Sequence, residues 1–179
     1  MSHPHRAAAD LHTRFAEADD SPGLLLWRVG NRWQAAVREA LAPHGLTHTQ
    51  FVLLASLTWL RQGRDEPVTQ RDLAAHAQTD VMMTSQVLRA LEAKGLLERR
   101  PHPSDARARD LVVTPAGLRT VNAAIVDVED CDTAFFAATG ADLPGFVAGL
   151  RRLATTVGDT SRSPDPTAEP GDEPRRTGP

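Results

Sequence analysis

The chain has a single cysteine, Cys131, so it can form no internal disulfide, and this usage fits a reducing compartment. It has no apolar run near the roughly eighteen residues that a membrane helix needs, so no membrane span is expected. The first residues carry histidines, arginines and alanines but lack the apolar core of a secretory signal. No internal repeat is present. His3, His5 and His12 come without a cysteine partner or a rigid element, so no metal site is expected. No nucleophile motif pairs Cys131 with a fixed histidine, and Glu129, Asp130 and Asp132 around it would raise a thiol pKa if near in space. Cys131 therefore reads as a packing residue rather than a redox sensor. These absences predict a cytoplasmic protein that is not an enzyme and needs no cofactor.

An excess of positive charge is also missing. The net charge is −3, which at first argues against a nucleic-acid binder. The distribution answers the objection. Between Met82 and Arg109 lie six basic residues (Arg89, Lys94, Arg99, Arg100, Arg107, Arg109) and three acidic ones (Glu92, Glu98, Asp105), so this window is +3. Residues 158–179 carry −2. Phosphate responds to the local charge within a Debye length of roughly 8 Å, not to the total.

What is there centres on residues 67–114, which read as helix, short turn, helix and a two-stranded hairpin with a basic tip. Thr69 is placed to cap the first helix, with Asp72 three residues on as a shortened capping-box acid. Leu73, Ala74 and Ala77 share one face, and Gln78, Thr79 and Asp80 break the pattern. In the second helix Thr84, Val87, Leu88 and Leu91 point inward, and Gly95 ends it. Leu96 to Arg100 and Arg109 to Val113 read as strands. This is a helix-turn-helix with a wing. Opposite the buried stripe lie Met82, Gln86, Arg89 and Ala93, flanked by Met83 and Ser85. A helix fits the DNA major groove, roughly 12 Å wide, where Gln can pair with adenine, Arg with guanine, and a Met stem can pack on a thymine methyl. A solvated helix face is the alternative for such residues; a basic hairpin beside it has few structural uses and favours DNA.

The segment resembles the MarR family of winged-helix transcriptional regulators. The resemblance rests on Leu91-Glu92-Ala93-Lys94-Gly95-Leu96-Leu97-Glu98-Arg99, on Asp105-Ala106-Arg107 in the wing loop, and on Val113-Thr114-Pro115-Ala116-Gly117, in the family's order and spacing. Met82 and Met83 stand where family members usually carry small polar residues. The resemblance implies a mainly α fold with a small β wing, a helical dimer region carrying two winged-helix lobes, and regulation of transcription through double-stranded DNA. It also implies that Arg107 contacts DNA at the wing tip with Asp105 supporting it.

The rest of the chain fits that frame. Residues 1–20 read as a mobile arm and 158–179, rich in proline and free of large apolar residues, as a disordered tail. Residues 21–157 form the domain, with the winged helix at 47–114 and dimerisation helices at 21–44 and 115–157. Ser21 and Pro22 open the first helix, whose stripe runs through Leu25, Leu26, Val29, Trp33, Val37 and Leu41; Trp27 falls off it, so a second face must be buried. Gly45 closes that helix. Thr47 and Gln50 form a capping box for the next, which carries Phe51, Leu54, Leu57 and Leu60. Val68 is expected as a very short third strand. Thr114 and Pro115 open a long helix with Leu118, Val121, Ile125 and Val128 that Gly140 ends. A last helix over 142–157 is expected to turn Leu143, Phe146, Val147, Leu150 and Leu153 inward. The apolar excess of the chain ends predicts a homodimer.

The candidate DNA-binding residues are Thr69, Gln70, Thr79, Met82, Met83, Ser85, Gln86, Arg89, Asp105, Arg107 and Arg109. Thr69, Gln70 and Thr79 sit at helix starts, where N–H groups and hydroxyls suit phosphate or serve as caps. Gln86 and Arg89 suit base edges, Met82 and Met83 shape and methyl groups, and Ser85 a phosphate. Arg107 at a hairpin tip can enter the narrow minor groove, held by Asp105, or both can be solvated turn residues. Arg109 can touch phosphate or pair with Glu98. The resemblance further implies a small, often aromatic or acidic effector, for which Trp33, His44, His48 and Phe51 are candidate lining residues or simply core. The leading reading is a dimeric repressor on a near-palindromic operator, released by a small ligand. A winged helix used only for protein contact is the alternative.

Overall fold

In a computed structural model that describes residues 12–63 and 66–156, the chain runs through α1 (Pro22–Leu41), α2 (His48–Arg61), α3 (Gln70–Ala77), α4 (Val81–Ala93), β1 (Leu97–Pro101), β2 (Arg109–Val113), α5 (Pro115–Phe136) and α6 (Leu143–Thr156). Short 3-10 turns precede α1 (Ala18–Asp20), follow it (Ala42–His44) and join α5 to α6 (Ala137–Asp142). The expected arm up to residue 11, with His3 and His5, and the expected tail lie outside the described residues.

Two units are distinguished, one ending at Phe135 and the other beginning at Phe136. In the first, one apolar core is shared by Val37 and Leu41 of α1, Leu53, Leu54 and Leu57 of α2, Leu73 of α3, Leu88 and Leu91 of α4, Leu97 of β1, Leu111 of β2 and Val121 of α5, all at most 1 % exposed. Each leucine so buried contributes roughly 1.5–3 kcal/mol, which fixes the helix-turn-helix to the strands behind it. β1 and β2 pair antiparallel, with Leu97 opposite Val113 and Pro101 opposite Arg109.

Local chemistry sets the boundaries. Ser21 caps α1 through Leu24 N–H, and Thr47 and Gln50 close a reciprocal capping box on α2. α4 ends in a Schellman arrangement: Leu96 N–H reaches the Leu91 carbonyl, Gly95 N–H reaches Glu92, and Gly95 adopts φ 69°. Thr114 caps α5 through Gly117 N–H and donates its own hydroxyl to the Gly95 carbonyl. Gly117 lies so close to β1 that a Cβ there would sit 1.9 Å from the Leu96 carbonyl oxygen, so only glycine fits.

Several sequence expectations are corrected. α1 ends at Leu41, and a 3-10 turn carries the chain to Gly45, whose φ of 62° makes the reversal. α5 stops at Phe136, short of Gly140. Val68 is not a strand: its carbonyl accepts one bond from Leu111 N–H and its N–H donates to Asp110, which is too little for a ladder. Leu25, Leu26 and Val29 are exposed, as is Trp27 at 68 %, because the first half of α1 reaches past the core that Val37 and Leu41 join. In the second unit, Phe146 of α6 packs against Phe136 with ring centroids 5.8 Å apart. Leu143, Phe146, Leu150 and Leu153 nevertheless remain exposed rather than turned inward.

Candidate nucleic-acid interface

The turn between α3 and α4 is built by hydroxyls and carboxylates. Thr69 Oγ1 accepts from Asp72 N–H, while Asp72 Oδ2 accepts both the Thr69 N–H (2.9 Å) and the Thr69 hydroxyl (2.7 Å). These bonds from the Thr69 hydroxyl and N–H hold the Asp72 carboxyl below its ordinary pKa. Thr69 is therefore a cap whose N–H and hydroxyl are both engaged by Asp72. Gln70 reaches across the turn, its Nε2 donating to the Val81 carbonyl (3.1 Å), and so ties the start of α3 to the start of α4.

Gln78 takes a left-handed conformation, φ 50°, which aims the chain into α4. Asp80, not Thr79, caps that helix: Asp80 Oδ1 accepts from Met82 N–H (2.8 Å) and Met83 N–H (2.9 Å). Thr79 turns inward instead, 2.8 Å from Thr84 Oγ1. Because Thr84 donates its own hydroxyl to the Asp80 carbonyl (2.7 Å), Thr79 must be the donor in that pair. The chain thereby satisfies Thr84, a fully buried polar side chain. Thr79 thus shapes the turn rather than starting the helix.

The outer face of α4 is open. Met82 is 72 % exposed, Met83 and Val81 are exposed, and so are Gln86 and Arg89. Arg89 Nη2 donates to Ser85 Oγ (3.3 Å), which leaves the Ser85 hydroxyl hydrogen available on the same face. This is the stripe read from the sequence.

The wing separates its basic residues into two groups. Arg100 pairs with Glu98 (3.0 Å), Arg99 with Glu92 (3.5 Å) and with the Ser85 carbonyl, and Lys94 Nζ donates to the Gly45 carbonyl (2.6 Å) and Gln50 Oε1 (2.9 Å). Lys94 and Arg99 thus tie separate elements together, while the Arg100–Glu98 pair lies in solvent on β1. Arg107 and Arg109 form the other group: among the described residues no ion pair or hydrogen bond engages either guanidinium. Arg109 does not pair with Glu98, which takes Arg100 while Arg109 lies opposite Pro101. Asp105 does not grip the Arg107 guanidinium. Its Oδ1 accepts the Arg107 backbone N–H (2.8 Å), and His102 Nδ1 accepts from the N–H of Ser104 and of Asp105. The tip is a folded turn that holds Arg107 by its backbone.

Between the start of α3 and the wing lies a groove of about 410 Å³ lined by Gln70, Arg71, Arg99, Arg107 and Arg109, with Asp105 the one carboxylate among its lining residues. Arg71 was not singled out from the sequence. The signal was present: a cation in the first turn of a helix opposes the helix dipole, a placement that an external anion would offset. The first-turn N–H groups of Gln70 and Arg71 also have no carbonyl four residues back to bond.

The candidate effector residues meet elsewhere, where α1, α2 and α5 converge. Trp33 Nε1 donates to Asp132 (2.7 Å) and its ring meets His48 edge-on at 5.1 Å. His44 Nε2 bonds Asp127 (2.6 Å), and Phe51 packs on the core one turn from His48. Burial lowers the His48 pKa, with Asp132 opposing and Arg38 assisting that shift. Cys131 is half-buried, and burial, Asp132 and Glu39 raise its thiol pKa. Among the described residues no group of three His, Cys, Asp or Glu is placed to hold a metal ion, and no helix is long and apolar enough to cross a membrane.

Comparison with known proteins matches this geometry. The family model described as MarR family matches residues 46–108, from the end of the α1–α2 turn through the wing tip. A Bacillus subtilis protein described as the uncharacterized HTH-type transcriptional regulator YdcH is 44 % identical over 144 residues, covering 80 % of this chain and 97 % of that protein. The crystal structure of CouR from Rhodococcus jostii RHA1 bound to p-coumaroyl-CoA superposes with a TM-score of 0.68 at 27 % identity, covering 84 % of this chain and all of CouR (100 %). A mutant MarR from E. coli complexed with operator DNA aligns with a TM-score of 0.64 at 26 % identity, over 75 % of this chain and 91 % of that one.

Proposed function

The chain belongs to the MarR family of transcriptional regulators, and on that premise we propose that it is a cytoplasmic homodimeric repressor of a near-palindromic operator, released by a small ligand. Two copies of α4 enter successive major grooves about 34 Å apart. Gln86 and Arg89 meet base edges, Met82 and Met83 pack on thymine methyls, and Ser85 meets a phosphate. Arg107 enters the minor groove. Gln70, Arg71 and Arg109 bind the intervening phosphates, while Thr69, Thr79 and Asp105 hold the turn and the wing in shape. The effector cleft lies at Trp33, His44, His48 and Phe51. The exposed apolar residues of α1 supply dimer surface in the first unit and those of α6 supply it in the second.

One observation carries this reading. Three of the cations around the wing have internal partners, whereas among the described residues Arg107 and Arg109 have none and share a groove with Arg71. Unpaired arginines gathered at a helix start are what a polyanion needs and what the fold does not. Titration with random duplex DNA at rising salt tests it. The affinity falls linearly on logarithmic axes, and replacing Arg107 and Arg109 together by alanine, which removes two cations from each of two protomers, flattens the slope by about 4. Binding without salt dependence, or an unchanged slope, would leave a protein-contact role as the better account.

A further inference from the structure

The chain holds four sulfur atoms, in Met1, Met82, Met83 and Cys131. Cys131 is half-buried on α5 and its thiol is held toward the protonated, unreactive form by burial and by Asp132 and Glu39. Met82 and Met83 are the opposite case: adjacent, both exposed, Met82 at 72 %, and placed on the outer first turn of α4. Their backbone N–H groups are fixed by Asp80, so the thioethers project from a rigid helix start rather than a mobile loop.

We propose that Met82 and Met83 form an oxidation site through which a two-electron oxidant, hydrogen peroxide or hypochlorous acid, weakens DNA binding. The inference rests on the reading of α4 as the base-reading helix. With hydrogen peroxide the thioether sulfur attacks one peroxide oxygen and the O–O bond breaks. With hypochlorous acid it attacks chlorine, displacing hydroxide, and water then displaces chloride from the chlorosulfonium. Either route ends in one S=O bond. The oxidant is reduced by two electrons, hydrogen peroxide leaving as water and hypochlorous acid as chloride with a proton. The product sulfoxide is polar and carries a strong acceptor oxygen. Seated against a thymine methyl, it places an unpaired dipole on an apolar contact; among the phosphates, it places a partial negative charge in a negative field. In a dimer the change is doubled. The reaction reverses when methionine sulfoxide reductases remove the oxygen.

The tryptic peptide from Asp72 to Arg89 contains both methionines and no cysteine or tryptophan, and fragment ions separate oxygen on Met82 and Met83 from any change at His76. The experiment treats the full chain with hypochlorous acid, follows oxygen addition on that peptide, and measures affinity for an operator selected with untreated protein. The expected result is a loss of about tenfold or more, on the scale of one mismatched base pair. The loss tracks peptide oxidation, is reversed by the A and B sulfoxide reductases together, persists in the Cys131→Ser variant, and is absent from the M82L/M83L variant. For each protein the readout is the ratio of affinity after and before oxidant, so the starting affinity of the leucine variant does not matter. If that variant does not bind, reductase rescue of the unmodified sequence decides. An oxidised peptide with unchanged affinity, or a loss that the leucine variant shares, overturns the proposal. Failure of the untreated protein to bind any duplex overturns the base-reading role beneath it.

Discussion

Asp105 holds Arg107 by its backbone, the carboxylate oxygen lying 2.8 Å from the Arg107 backbone nitrogen, and among the described residues the guanidinium has no partner. A side-chain amide oxygen can accept the same bond. Asp105→Asn should therefore keep the tip folded and keep affinity within about threefold, or strengthen it slightly by removing a negative charge from the groove. Asp105→Ala should loosen the tip and weaken binding. Arg107→Ala should cost about 1–3 kcal/mol of binding free energy. Equilibrium titration of the three variants against one selected operator checks this; an Asp105→Asn variant as poor as Arg107→Ala would restore a charge-pairing role for Asp105.

Lys94 and Arg71 should exchange the roles that their sequence positions suggest. Lys94 lies in the basic window, yet its ammonium bridges Gly45 and Gln50 and so ties the end of α4 to the α1–α2 turn. Lys94→Met should lower unfolding stability by about 1.5–3 kcal/mol, the range for hydrogen bonds to a charged group, and leave the salt slope of DNA binding unchanged. Arg71→Ala should leave stability within about 0.5 kcal/mol and reduce the slope by about 2, one cation being lost from each protomer. Chemical denaturation and salt titration on both variants separate the two cases.

Much of this was legible in the sequence because its causes are local. The capping pairs Thr47 with Gln50 and Thr69 with Asp72 span three residues, and Gly95 ends α4 through its own φ, so neighbouring letters are enough. The leucines at helical spacing through α2, α3 and α4 marked the core for the same reason. Backbone conformations that the residue type does not demand, and contacts with distant chain, were not legible. Thr79 and Asp80 are both good caps, and only the left-handed turn at Gln78 decides between them. The engagement of Lys94 by Gly45, forty-nine residues away, leaves no local trace. Leu25 and Val29 share a stripe with Val37, but the stripe runs beyond the part of α1 that the core covers.

That uncovered stretch yields a prediction about assembly. Leu26 and Trp27 are 62 % and 68 % exposed, so charging one of them removes no buried contact of the single chain. Leu26→Glu should leave thermal unfolding of the isolated chain nearly unchanged and shift the protein from dimer to monomer in sedimentation velocity. A variant that remains dimeric at the same concentrations would place the dimer surface elsewhere.

Stability should depend on pH through His48. Burial disfavours its imidazolium, so its folded pKa lies below the ordinary value of about 6.5. As pH falls through that ordinary value, the unfolded chain takes up the proton first, and the folded state loses stability until the lower folded pKa is passed. Denaturation midpoints measured across this range should fall with pH, and His48→Gln should flatten the curve. A curve unaffected by the substitution would mean that other groups set the dependence.

The account stands on the outer face of α4 and the wing acting together on duplex DNA in two symmetric copies. Selection of bound sequences from a random duplex pool tests this most directly. The prediction is an enriched near-palindrome whose half-site centres lie one helical turn apart, about 10 base pairs, and whose enrichment is lost with Gln86→Ala and Arg107→Ala together. A pool that shows no enrichment, or a single half-site without a symmetric mate, would contradict it.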